Sequence, residues 1–214
     1  MHALKSAAVL VAALAVTGAA RAQVISTNTT SNNGTGGIFL SLTPSGPGLT
    51  MLDFSTQFGS AAGSAVSIEV WTRPGPYAGF TTSNAGWTLT ETVSGVSAGT
   101  TTNSAPITLG VPISVPAGAT TSVYLHSITV GGGIRYFGTG TTSQSTYTNP
   151  DVTLFTDISR TGNVSFGGTQ FTPRAFVGSI SYSVVPEPSS MALCGTLIAA
   201  AGWRRWRRAK GQIV

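Results

Sequence analysis

Val66-Ser67-Ile68-Glu69-Val70-Trp71-Thr72-Arg73 alternates without a break. Val66, Ile68 and Val70 fall on one side of an extended chain, and Glu69, Trp71 and Arg73 on the other. That is the period of two of a half-buried strand, not the 3.6 of a helix. The pattern returns at 177–184, where Gly178, Ile180, Tyr182 and Val184 form the apolar set and Val177, Ser179, Ser181 and Ser183 the other. Elsewhere, short runs of β-branched and aromatic residues are separated by Gly, Pro, Asn and Ser. Strands are predicted at 38–42, 49–54, 65–72, 87–93, 107–111, 122–130, 134–137, 152–155 and 175–184. Long helix-forming runs are missing, and no fixed-period repeat suggests a solenoid or propeller. The expectation is an all-β domain over residues 38–184, an antiparallel two-sheet sandwich of jelly-roll type. Residues 23–37 read as a flexible leader, and 139–150 as a long Thr/Ser-rich loop.

The two ends read differently. Met1-His2-Ala3-Leu4-Lys5 is a short basic segment, followed by an uncharged Ala/Val-rich run from Ser6 to Ala19. Ala20-Arg21-Ala22 then fits the small-x-small cleavage rule, so residues 1–22 read as a signal peptide and Gln23 as the mature N-terminus. The Sec translocon and signal peptidase are the implied partners.

At the other end, Val185 is followed by Pro186-Glu187-Pro188. Both prolines lack an amide proton and hold φ near −65°, which keeps this segment out of sheets and helices. Residues 191–203 carry no charge; at ~1.5 Å per residue they cover ~20 Å, short of a ~30 Å bilayer core. Counting from Pro188, with cations snorkelling at the far end, a thin single membrane helix over about 189–203 is predicted. Arg204, Arg205, Arg207, Arg208 and Lys210 would hold the last residues in the cytoplasm against anionic membrane lipid. The order of proline motif, apolar helix and arginine cluster over residues 185–210 resembles the PEP-CTERM sorting signal of Gram-negative bacteria. The same tail type has also carried an ice-binding name. The resemblance implies processing by an exosortase at the inner membrane, with the bulk of the chain in the periplasm, and later the cell surface or matrix.

Removing these ends changes the charge argument. The whole chain carries +5 and a sequence pI near 9.9. Between Gln23 and Val185, however, four arginines (73, 135, 160, 174) face five carboxylates (53, 69, 91, 151, 157), a net −1. A near-neutral domain offers no footprint for a phosphate backbone, so no nucleic-acid partner is expected.

Groups that carry chemistry are few. His126 is the one histidine of this segment and no cysteine lies in it; Cys194 belongs to the apolar tail. A Cys/His zinc site and a disulfide are therefore ruled out there, and neither metal nor cofactor is expected. Leu125-His126-Ser127 lies in an ordinary strand pattern without a nucleophile elbow, which favours a structural histidine over a triad member. Glu69 and Glu91 could act as a glycosidase pair if they faced one cleft, ~5–9 Å apart. Asp151 and Asp157 flank one strand without a ligand-dense calcium loop.

The best candidate surface is aromatic: Trp71 beside Glu69 and Arg73, with Tyr77, Phe80 and Trp87 following. A flat ring next to hydrogen-bonding groups suits a sugar. The competing reading, favoured by the Gly- and Pro-rich turns, packs these rings under the 74–86 loop.

The succession Gly-Gly-Ile-Phe-Leu (36–40), Val-Trp-Thr-Arg-Pro-Gly-Pro-Tyr-Ala-Gly-Phe (70–80), Gly-Trp-Thr-Leu (86–89) and Val-Pro-Ala-Gly (115–118) resembles β-rich ectodomains of other PEP-CTERM proteins. That resemblance implies a non-enzymatic surface or matrix protein associated with exopolysaccharide and biofilm. The alternative is a carbohydrate-binding module delivered by the same route. Ice binding and hydrolysis rank below both, since Thr88/Thr90, Thr139/Thr141 and Thr146/Thr148 share no common period.

Overall fold

The computed structural model describes residues 22–138 and 145–185. Of the expected signal peptide (1–22) all but Ala22, and the whole of the expected sorting segment (Pro186-Glu187-Pro188, 189–203 and Arg204 to Arg208), lie outside the described residues.

The described chain forms fourteen strands. They are β1 (Ala22–Ser26), β2 (Asn33–Pro44), β3 (Leu49–Thr56), β4 (Ala65–Pro74), β5 (Thr88–Val96), β6 (Ile107–Val115) and β7 (Thr121–Ser127), followed by β8 (Ile134–Phe137), β9 (Thr146–Thr148), β10 (Val152–Phe155), β11 (Ser159–Thr161), β12 (Gln170–Phe171), β13 (Ala175–Phe176) and β14 (Gly178–Val184). All named strand pairs are antiparallel. A small sheet runs β1-β14-β3-β6, and a large one β12-β11-β2-β7-β4-β5 with β8, β9, β10 and β13 attached. No helix occurs among the described residues.

The two sheets enclose one apolar core. Ile38, Leu40 and Leu42 of β2, Val66, Ile68 and Val70 of β4, and Val123 and Leu125 of β7 meet Met51 and Phe54 of β3, Ile113 of β6, and Ile180 and Tyr182 of β14. The alternation of β4 is therefore the alternation of core and outer face. Fully burying each such side chain is worth about 1.5–3 kcal/mol, which pins the register because a one-residue slip would invert the strand.

Four expectations are corrected. The 23–37 stretch is not a loose leader: Ala22 to Ser26 pair with Ser183 to Ser179, and β2 already begins at Asn33. Its glycines reflect close approach, since a Cβ on Gly37 would lie 2.6 Å from both His126 Nδ1 and Leu125 O. Within the 139–150 stretch, Thr146–Thr148 forms β9 against β10. Trp87 precedes its strand and closes a turn, donating its backbone N–H to Asn84 O at 3.0 Å. Val177 is buried, not solvent-facing, because 175–184 is two strands: β13 pairs β8 in the large sheet, and β14 pairs β3 in the small one. Gly178 sits at the crossing, where a Cβ would run into Ser55 O.

Candidate functional site

The outer face of the large sheet carries three rungs across β2, β7 and β4. They are Gly37–His126–Glu69, Phe39–Tyr124–Trp71 and Ser41–Ser122–Arg73. In the middle rung Phe39 and Tyr124 stack with centroids 3.9 Å apart at 5°. Loops 74–87 and 162–169 fold over this face and add Tyr77, Trp87 and Phe166, making a second apolar cluster that Trp71 and Ile158 join from its margin. The large sheet is thus covered on both faces, and β7 is buried at every position.

Phe166 has φ +61°, a left-handed conformation unusual for a bulky residue. It turns the ring inward, 4.8 Å from Tyr124, 5.7 Å from Trp87 and edge-on to Trp71 at 5.2 Å and 83°. These contacts offset the backbone strain. Arg160, buried on β11, clamps the same loop: Nη1 donates to the carbonyls of Phe166, Gly167 and Gly168 at 2.8–3.0 Å, and Nε to Thr81 O at 2.5 Å. One cation thereby ties the two covering loops together.

Glu69 faces this cluster and its Oε2 accepts two bonds, from Trp71 Nε1 at 2.9 Å and from Ser165 Oγ at 2.5 Å. His126 stands opposite it, fully buried; Nδ1 shares a 2.7 Å hydrogen bond with Tyr124 Oη, while Nε2 has no partner among the described residues. Burial drives the imidazole down to about 4; Glu69 opposes that shift and Arg160 adds to it. Burial likewise pushes the Tyr124 and Tyr77 hydroxyls up, and Asp157 adds to the effect at Tyr77. Tyr77 Oη donates to Asp157 Oδ1 at 2.7 Å and accepts from Asp157 N at 2.9 Å.

The structure separates the residues that the sequence grouped. Tyr77 and Trp87 are buried in the cluster, and Trp87 Nε1 donates to Phe80 O at 2.7 Å. Arg73 lies with its guanidinium 3.7 Å from the Phe80 ring centroid and donates to Pro76 O. These three hold the 74–87 loop. Of the aromatic set, Trp71 borders an open groove of about 320 Å³, together with Ser83, Asn84, Val164, Ser165, Phe166 and Gly167.

The glutamates do not form a pair. Glu91 is the cross-strand partner of Val70, so it lies on the opposite face from Glu69. Its two oxygens accept the N–H groups of Gly110 and Val111 at 3.0 Å, where β6 bulges away from β3. Asp151 accepts from Tyr182 Oη at 3.1 Å, and Asp157 is engaged with Tyr77. Among the described residues no three His, Cys, Asp or Glu side chains group as a metal site. Gln23 and Ala22 pair with Tyr182 and Ser183 in the small sheet. Tyr124, Arg160, Ser165 and Phe166 were missed. Apolar residues at both parities of β2 and β7 were the available signal for a sheet covered twice.

No protein-family model matches the chain, and no curated protein matches it.

Proposed function

We propose that this chain is an exported, non-enzymatic surface or matrix protein, held by its C-terminal segment and processed by an exosortase, with exopolysaccharide as its associated polymer. The carrying observation is the order of elements after the domain: Val185 makes the last described backbone bond, to Gly48 O at 2.7 Å, and Pro186-Glu187-Pro188, the uncharged 191–203 stretch and Arg204, Arg205, Arg207 and Arg208 follow at once. The first described strand, β1, spans the proposed cleavage junction between Ala22 and Gln23. First and last strands lie side by side, so both processing events would fall at one edge of the domain. Jelly-roll connectivity belongs to the same reading, supported by the orders β1-β14-β3-β6 and β2-β7-β4-β5.

The test is a membrane and extracellular fractionation of the Pro186→Ala/Pro188→Ala double variant. Export and insertion should persist while full-length precursor accumulates in the inner membrane. Neutral residues at Arg204, Arg205, Arg207 and Arg208 should instead loosen retention, at roughly 1 kcal/mol per cation. A proline variant released like the wild type would leave the tail as an anchor only and remove the exosortase from the reading.

A further inference from the structure

We propose that the groove between the two covering loops on the outer face of the large sheet is a subsite for one uncharged pyranose ring of a polysaccharide, seated on Trp71. The proposal rests on the reading of the protein as a polysaccharide-associated surface component and names where the polymer is held.

Trp71 is the one tryptophan of the outer-face cluster at its margin, half-buried where Trp87 is enclosed. Its indole is immobilised on two sides. Nε1 is bonded to Glu69, itself held by Ser165, and the ring meets Phe166 edge-on at 5.2 Å. A ring fixed before binding loses little conformational entropy on contact, which is what an aromatic platform for the apolar face of a sugar requires. The groove, about 320 Å³, lies at the lower end of small-ligand sites and suits one ring of a longer chain, with its neighbours passing over the open rim.

The rim supplies hydrogen-bonding groups. Ser83 and Asn84 are exposed on the 74–87 loop. The Asn84 carboxamide bonds no other described residue, while its backbone carbonyl is taken by Trp87. An amide with free N–H and C=O groups matches a pair of sugar hydroxyls, each of which both donates and accepts.

The charge class follows from what lines and underlies the groove. None of Trp71, Ser83, Asn84, Val164, Ser165, Phe166 and Gly167 is charged. Beneath them, Glu69 is bonded to Trp71 and Ser165, and Arg160 is bonded to loop carbonyls. One charge of each sign, both engaged, leaves no cation for a uronate or sulfate group. Backbone strain at Phe166 shapes the far wall, and the clamp by Arg160 keeps that wall in place.

The experiment titrates the full chain, solubilised in detergent micelles, with cellohexaose, mannohexaose and, for comparison, an alginate hexamer. Binding is read from the Trp71 indole N–H resonance and by saturation transfer to the sugar. At least one neutral hexamer should bind with Kd on the order of millimolar, as one subsite allows. Trp71→Ala should weaken it about tenfold or more, and Asn84→Ala about fivefold. Trp71→Phe should retain part of the affinity. Should Trp71→Ala misfold, the exposed Ser83→Ala/Asn84→Ala variant carries the test alone, with unchanged spectral dispersion as its fold control. Thr88→Ala, in the separate cleft beside Pro112 and Ser114, should bind as the wild type does. No binding of either neutral hexamer, tighter binding of alginate, or loss confined to Thr88→Ala would each overturn the proposal. Sorting is read independently: a failed sugar titration with normal processing removes this subsite alone, and failed proline dependence leaves it standing.

Discussion

Acid should weaken this domain through one side chain. His126 is the lone histidine between Gln23 and Val185, is fully buried, and titrates at about 4 against an ordinary 6.5. The groups that face it are Tyr124 on its own strand, Glu69 across on β4, Gly37 on β2 and Arg160 on β11. Because the folded value is depressed, the unfolded chain takes up the proton first. Stability is therefore complete above pH 6.5, falls as pH drops from 6.5 to about 4, and changes no further through this group below that. The gap of about 2.5 pH units, at about 1.36 kcal/mol each, sets the total near 3 kcal/mol, of which about 2 kcal/mol is lost between pH 7 and pH 5. With a urea slope of about 2 kcal/mol/M, the unfolding midpoint of the segment Gln23–Val185 should fall by about 1 M over that interval. His126→Leu removes the imidazole from the Tyr124 hydroxyl and lowers the baseline, but its midpoint should be nearly flat from pH 7 to pH 5. A wild-type midpoint that does not move, or a variant that keeps the wild-type slope, would refute the assignment.

Arg160→Ala removes the donor to four loop carbonyls and should cost about 2–4 kcal/mol, with amide exchange accelerated in 162–169 and around Thr81 more than in β3 or β14. Uniform acceleration across both sheets would show that the clamp is not local. Intact-mass analysis of surface-exposed protein should place the N-terminus at Gln23, which removes only Ala22 from β1; recovery of Met1 on such protein would count against signal-peptide cleavage.

Strand positions were legible because alternation is a local property. Every predicted segment overlaps a strand, and 134–137 and 152–155 carry the bounds of β8 and β10 themselves. Strands β1, β9, β11 and β12 were not legible: Gln23, Thr146, Thr148, Arg160 and Gln170 carry no apolar period, and these segments are extended because neighbouring strands supply their hydrogen-bond partners. Gly36 and Gly37 read as flexibility, yet Gly36 lets the β11 backbone at Arg160 come close and Gly37 lets the His126 and Tyr124 side chains of β7 lie against β2.

By itself the sequence determined the all-β class, the near-neutral charge of the 23–185 segment and the absence from it of any thiol, since each depends on composition or on neighbours a few residues apart. It also placed Glu69, Trp71 and Arg73 on one face, as strand geometry requires. Which of Trp71 and Trp87 remains accessible was decided only in three dimensions. Tyr77, Trp87 and Phe166 come from two loops some eighty residues apart, joined over Phe39 and Tyr124 by Arg160. Glu69 and Glu91 part because β4–β5 register sets Glu91 opposite Val70, not opposite Glu69. Such pairings follow from long-range register and burial, which no local pattern encodes.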